Sequence, residues 1–524
     1  MKSSSRKAEN FGQFLAKKSS QGVYLALIDG EWRVPASGGA HANVDPAHRM
    51  TIHGHVPECS SEEVAEAVAA AERDFDAWRL TTGDFRTKVL LRVTEILRES
   101  EDLLVRSMTR EMGKTLEDSR LDWLEAVGVC EAIAPQGANM KGVTYPRLAP
   151  GVAMEGRVAP RGVAAIITPF NFPVAIPMAQ IAAALVTGNP VVWKPSHLTP
   201  ETSQAVAQIV QAAFALEGKR HGVHVPPGVF GMVLGDSGCG DALVRAPAVR
   251  TISFTGSKRV GDQVDSVASG LGKRVMKELG GINVFYVHKK ADLKRAACNF
   301  LHGKTITGGQ RCSSIQEVLL DEEVHDAFLS EALHLASNVF QGPGDSAAMV
   351  KAGKSRDCFV CPPLASAQQL HRLESLVHRS VEKGAKILYQ ARLPKSQLEE
   401  GFYYPLTFLG GVTPDAPLYF EEAFGPVAVI TQVGGIEEAI QIANSKVGIV
   451  ACIDSEDKSA TENFIERVLR TRIDDGRHGT GCFWGTKFGG DRGAGSGNPS
   501  LDEDMVYGYC IWKTIYRAYT PLET

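Results

Sequence analysis

Short apolar runs recur along the middle of the chain at 163–168, 190–194, 229–234, 251–254 and 284–287, and each reads as a buried strand. Between the first of them, 176–186 and 202–216 carry apolar positions at helical spacing. Strands alternating with helices over short links predict a parallel, doubly wound α/β sheet. Upstream, Ser60-Ser61-Glu62-Glu63 has the form of a helix capping box, and Val64, Val68, Ala71, Phe75 and Trp78 follow as one core-facing stripe. Two more helical tracts are expected over 85–111 and 116–141. A further one is expected over 366–383, where Leu370, Leu373, Leu376, Val377 and Val381 form the stripe and Gly384 ends it. The polar stretch 217–225 reads as an insertion loop with His221 and His224 in solvent.

The texture changes in two places. From 142 to 163 apolar and polar residues alternate around Ala149-Pro150-Gly151, a hairpin signature, and 507–519 alternates in the same way. Strand units so far apart in sequence are suited to pairing with another subunit. Ordered structure is expected to begin at 23–32, where Leu27-Ile28-Asp29-Gly30-Glu31-Trp32 reads as strand and tight turn.

Composition narrows the function. The chain has 524 residues, 44% hydrophobic and 22% charged, with a net charge of −4. Its length calls for two large domains or one divided body. A near-neutral balance gives no electrostatic basis for nucleic acid or membrane partners. The longest apolar run, 174–186, carries Pro177 and Gln180 and is too short to span a bilayer. Ten scattered cysteines without a repeated spacing indicate free thiols in the cytoplasm or an organelle matrix. Cys358-Phe359-Val360-Cys361 stands without a second pair, so no metal site is expected. The basic N-terminus (Lys2, Arg6, Lys7, Lys17, Lys18) leaves a mitochondrial presequence open, but it is poor in Arg and reads better as a short extension.

Several strand ends carry chemistry. Gly309-Gln310-Arg311-Cys312-Ser313-Ser314 presents a cysteine, and Glu278-Leu279-Gly280-Gly281 presents a carboxylate able to activate water. Ile167-Thr168-Pro169-Phe170-Asn171-Phe172-Pro173 puts an amide just beyond a buried strand, where open α/β sheets bind ligands and where it can donate to an oxyanion. Val192-Trp193-Lys194-Pro195-Ser196 ends a strand with a lysine suited to ribose hydroxyls or phosphate. Phe254-Thr255-Gly256-Ser257-Lys258-Arg259 closes a strand and opens a helix whose N-terminus suits a pyrophosphate. In Glu421-Glu422-Ala423-Phe424-Gly425-Pro426 a carboxylate and a flat ring stand together.

In this order the segments resemble the aldehyde dehydrogenase superfamily over roughly 27–519. The resemblance implies a Rossmann-like NAD(P)-binding domain (23–141 and 161–281), an α/β catalytic domain (282–485) and a small β oligomerisation flap (142–160 and 500–524), after an N-terminal extension (1–22). It implies Cys312 as nucleophile, Glu278 as general base and Asn171 as oxyanion donor beside the Cys312 backbone N–H. NAD or NADP would be held by Thr168, Pro169, Phe170, Lys194, Ser196, His197, Gly235, Gly256, Ser257, Val260, Leu279, Glu422 and Phe424. Phe172, Arg311, Ser313 and Phe488 would meet a small aldehyde, and the assembly would be a homodimer or homotetramer. Retention of Glu278 favours release of a free acid, because relatives that pass the acyl group to CoA or phosphate commonly lack it.

The sequence also departs from its relatives. His197 stands where many NAD-preferring members have Glu, which removes a charge that repels a 2′-phosphate; a protonated imidazole would attract one. The segment 488–498, with Gly497-Asn498 and Ser500, resembles the loop by which glutamate semialdehyde and succinylglutamate semialdehyde dehydrogenases grip a carboxylate. By that likeness Ser496 and backbone N–H groups would hold an amino-acid-derived semialdehyde, with Arg311 or Arg492 available to its carboxylate.

Overall fold

The computed structural model describes residues 17–36, 40–146, 150–353, 359–497 and 502–519. Two seven-stranded sheets form its frame. The first runs Arg274–Leu279, Val249–Gly256, Val163–Ile167, Val191–Lys194, Phe230–Met232, Ala26–Ile28 and Glu31–Arg33. Its first five strands are parallel, and the N-terminal pair adds antiparallel at one edge. The second runs Lys386–Gln390, Thr407–Gly410, Val427–Val433, Ile315–Asp321, Asn283–Val287, Val450–Asp454 and Arg472–Asp475, parallel except for its first strand. The parallel strands are buried on both sides, which is why apolar residues dominate their sequences.

A three-residue link, Gly280-Gly281-Ile282, joins the two sheets. Its glycines are required by close approach: a Cβ at Gly280 would stand 2.1 Å from the Glu422 carboxylate, and one at Gly281 2.5 Å from the Val447 carbonyl oxygen. The C-terminal strand Cys510–Ala518 pairs along its whole length with Val152–Pro160, which also takes Val143–Thr144. These alternating strands therefore pair with each other inside one chain. Trp512 and Tyr516 remain exposed on the outer one.

Local physics revises several expected boundaries. The tract 85–111 is two helices, Gly83–Glu99 and Glu101–Met112, separated at Ser100, whose hydroxyl donates to the Ile96 carbonyl. The tract 116–141 ends at Ile133, and only the short helix Gln136–Asn139 follows Pro135. The expected loop 217–225 contains the last turn of the helix Pro200–His221, closed by Gly222 at φ 65°. Glu217 holds that turn by pairing with Arg92 at 2.8 Å and His221 at 3.3 Å, so His221 is not a free solvent histidine. Ordered chain is already present at Lys17, whose N–H donates to Gln204 and whose ammonium lies over Trp32. The capping box at Ser60 and Glu63 forms as expected. Residues 1–16, Cys358, Asn498 and Ser500 lie outside the described residues. Among the described residues no helix is long and apolar enough to cross a membrane.

Candidate active site

A cavity of about 750 Å³ opens between strand ends of the two sheets. Thr255–Ser257 and Glu278–Gly281 reach it from the first sheet, and Arg311–Ser313, Glu421, Glu422 and Phe424 from the second. Pro169, Phe170, Asn171, Phe172 and Phe488 complete its wall.

Cys312 follows a left-handed turn in which Thr307, Gly308 and Gly309 have φ of 57°, 63° and 73°. Positive φ at a β-branched threonine is costly, and a dense set of bonds fixes it. Asp118 accepts from the Thr307 N–H at 2.9 Å, and Arg311 Nε donates to Thr307 Oγ1 at 2.8 Å. Asn283, at the start of the second sheet, donates to the carbonyl oxygens of Cys312 (2.7 Å) and Ser314 (3.0 Å). Burial, then the charges of Glu422, Glu278 and Glu125, push the Cys312 thiol up to about 12.

Asn171 is held from two directions. Its Nδ2 donates to the Gln310 carbonyl at 3.0 Å, and its own carbonyl accepts from Lys114 Nζ at 3.2 Å. Lys114 is fully buried and paired with Asp122 at 2.6 Å, and Asp122 accepts from the Ala175 N–H at 2.7 Å. The bond to Gln310 uses one hydrogen of the Asn171 amide, and an amide carries two. Glu278 Oε2 accepts from the Gly490 N–H at 2.7 Å, while burial lifts its carboxyl to about 8.

The remaining candidates divide. Ser257 caps the helix Lys258–Gly270 through the Val260 N–H, and that N-terminus faces the cavity together with Gly256, as a pyrophosphate requires. Phe424, at φ 48°, meets Phe170 edge to face with centroids 6.1 Å apart. Beside it the Glu422 carboxyl is pushed by burial to about 7. Leu279 lines the same space. Lys194, Ser196, His197 and Gly235 lie outside this lining. Thr168 also lies outside it, its hydroxyl accepting from Trp193 Nε1 at 2.9 Å. Burial, then Lys194 and His41, pushes the His197 imidazole down to about 4. It is neutral at physiological pH, so the expected attraction of a protonated His197 for a 2′-phosphate does not operate.

Phe172, Arg311, Ser313 and Phe488 all reach the cavity. The glycine-rich tail is different from the expected carboxylate grip. Ser496 exchanges hydrogen bonds with the Lys277 backbone, Leu279 N–H donates to the Ala494 carbonyl, and Gly490 serves Glu278. The segment is thus laid along the strand Arg274–Leu279, and Arg492 is exposed away from the cavity lining. Sequence reasoning missed Asn283, Gly490, the Lys114–Asp122 pair and Glu125. Asn283 carried one signal, a polar residue opening an apolar strand.

The family described as "Aldehyde dehydrogenase family" matches residues 32–515. An alpha-ketoglutaric semialdehyde dehydrogenase of Bacillus subtilis (strain 168) is 30% identical over 501 residues, covering 95% of this chain and 99% of the relative. A non-phosphorylating aspartate-semialdehyde dehydrogenase of Halomonas elongata is 33% identical, covering 82% of this chain and 83% of the relative. The crystal structure of a betaine aldehyde dehydrogenase from Staphylococcus aureus in complex with NAD+ superposes with a TM-score of 0.88 at 25% identity, covering 98% of this chain and 96% of that one.

Proposed function

This chain belongs to the aldehyde dehydrogenase family and is an NAD(P)-dependent aldehyde-oxidising oxidoreductase; on that premise we propose that Cys312, Glu278 and Asn171 convert a semialdehyde to the free carboxylic acid. The observation that carries the reading is that Cys312 and Glu278 open into one cavity while Glu278 is desolvated and clipped by Gly490.

The steps follow from charge. The Cys312 thiolate adds to the aldehyde carbon, and the oxygen that becomes negative is met by the free N–H of Asn171. The group held by Ser257, Glu422 and Phe424, with Lys194 on the adjoining strand end, supplies a hydride acceptor when bound. Loss of hydride leaves a thioester on Cys312. Glu278, once ionised, takes a proton from water, whose oxygen attacks the thioester carbonyl and releases acid and thiol. Thiolate formation at Cys312 needs relief from the surrounding carboxylates, and it would become easier with a cationic group held beside Glu422 and Phe424.

Both relatives act, by name, on semialdehydes, which supports a substrate bearing a second polar group. We place the protein in a reducing compartment, the cytoplasm, in keeping with the free thiols of its described cysteines, and read the outer strand with Trp512 and Tyr516 as the contact of a homo-oligomer. Product analysis of a semialdehyde reaction with and without CoA tests the function. Free acid formed equally in both supports it, and acyl-CoA as the main product would sink it.

A further inference from the structure

Two thiols that take no part in the chemistry above touch one another. Cys59 lies in the link between the strand Ile52–Pro57 and the helix Ser61–Arg79, and Cys239 stands in the first turn of the helix Ser237–Arg245. Cys59 and Leu234 are bonded twice. The Cys59 N–H donates to the Leu234 carbonyl at 2.8 Å, and the Cys59 sulfur accepts from the Leu234 N–H at 3.3 Å. Gly235 then turns the chain at φ 144°, where a Cβ would stand 2.8 Å from Cys239 Cβ and 3.4 Å from Glu58 Cα. This close packing sets the Cys239 thiol in hydrogen-bond contact with Cys59. Both residues are buried in one apolar cluster.

The two sulfurs are unequal. Their hydrogen bond, against burial and with help from the Lys194 ammonium, holds the Cys239 thiol below its ordinary value. The same bond, then burial, pushes the Cys59 thiol up. A thiol eased towards thiolate at a helix N-terminus is the attacking member of such a pair, and its neighbour resolves. Ser237 and Gly238 beside it are exposed, which leaves a short path for a small oxidant. The pair also adjoins the strand end Val191–Lys194. A Cβ at Gly240 would stand 3.6 Å from Lys194 Cδ, and Cys239 is foremost among the acidic groups acting on the Lys194 ammonium.

We propose that Cys59 and Cys239 are a redox pair that hydrogen peroxide converts to a disulfide, and that this bond weakens dinucleotide binding at Lys194. The inference rests on the reading of Lys194 as a cofactor residue. The Cys239 sulfur attacks one peroxide oxygen, the O–O bond breaks, and water leaves with the thiol proton. The Cys59 sulfur attacks the resulting sulfenic acid, the S–O bond breaks, and a second water carries off the Cys59 proton. Two electrons thus pass from the thiols to the peroxide, and a dithiol reductant reverses the bond. Sulfurs in hydrogen-bond contact must close to about 2 Å to form it. That closure moves the helix turn against which Lys194 packs.

The test uses the full-length Cys312→Ala protein, so that oxidation of the nucleophile is not read as the effect. Peroxide-treated protein is analysed by peptide mass spectrometry and by calorimetry with NAD and with NADP. We expect peptides linked through Cys59 and Cys239, and a dinucleotide Kd raised about 5-fold or more, the scale of one hydrogen bond. Dithiothreitol should restore both. Cys239→Ala in the same protein should keep its affinity through the treatment, and Cys59→Ala serves instead if that variant does not fold. No link, a link with unchanged Kd, or the same loss of affinity in the alanine variant would overturn the proposal and leave the cofactor reading intact. Lys194→Met in reduced protein checks the premise: binding weakened about 10-fold supports it, and unchanged binding would overturn both.

Discussion

Glu278 accepts one hydrogen bond, from the backbone N–H of Gly490 at 2.7 Å, and burial opposed by that bond sets its ionisation near 8. The base is thus mostly protonated at neutral pH and becomes competent as pH rises. Where thioester hydrolysis limits, turnover should climb with pH to a midpoint near 8. Glu278→Gln should abolish that limb and slow turnover by about 10²-fold or more, leaving a burst of reduced cofactor. The folded pKa lies above the ordinary carboxyl value of 4.5, so the folded state keeps a proton that the unfolded chain loses. This costs stability as pH rises from 4.5 towards 8, and Glu278→Gln should raise the melting temperature at pH 8. Stopped-flow absorbance and thermal melts measure both.

At Cys312 the three carboxylates that raise the thiol should make it slow to alkylate in the absence of cofactor. Removing the charge of Glu422 or Glu278 lowers the thiol pKa, so Glu278→Gln should be modified by iodoacetamide faster than the parent at pH 8. Mass spectrometry of the Cys312 peptide reads the rate. Cys312→Ala should lose turnover entirely and still bind cofactor by calorimetry.

The Lys114–Asp122 pair is wholly buried and fixes both ends of the Asn171 turn. Lys114→Met leaves Asp122 without its cation and should cost about 3–5 kcal/mol in denaturant unfolding. The double variant Lys114→Met/Asp122→Leu should recover part of that stability but not kcat, because Asn171 loses the contact to its carbonyl.

For the cofactor, a neutral His197 neither attracts nor repels a 2′-phosphate, so the NAD-to-NADP ratio of kcat/KM should stay flat from about pH 7 to 8, above the phosphate's own ionisation at about 6 and well above the His197 pKa of about 4. His197→Glu should lower kcat/KM with NADP by about 10-fold and leave NAD nearly unaffected, consistent with one added like charge. Steady-state kinetics with both cofactors decides.

The exposed Trp512 and Tyr516 supply the assembly prediction. Trp512→Asp/Tyr516→Asp should shift the mass measured by light scattering towards the monomer. An unchanged mass would exclude this strand as the contact.

The parallel strands and the segments at their ends were legible because their signals are local: an apolar run, a glycine turn, then a reactive side chain. Asn171, Glu278 and Cys312 all sit in such segments and meet in one cavity. Glu125 and Gly490 were not legible, since Glu125 shares a cavity with Cys312 and Gly490 bonds Glu278 only once distant parts of the chain have come together. The tail 489–497 misled for the same reason. Its glycines look made to wrap a ligand, yet they let the chain lie against the strand Arg274–Leu279. The helix break at Ser100 was hidden because the apolar stripe continues across it.

The pairing of Val152–Pro160 with Cys510–Ala518 has a consequence for how the protein is made. A ribosome delivers the second strand after Cys312 and both sheets have emerged, and Gly490 comes only shortly before it. A growing chain therefore holds its nucleophile long before the clip on its base. A truncated product that stops between Cys312 and Gly490 carries the thiol but lacks that clip, so the base of the hydrolytic step is held only in chains that extend past Gly490.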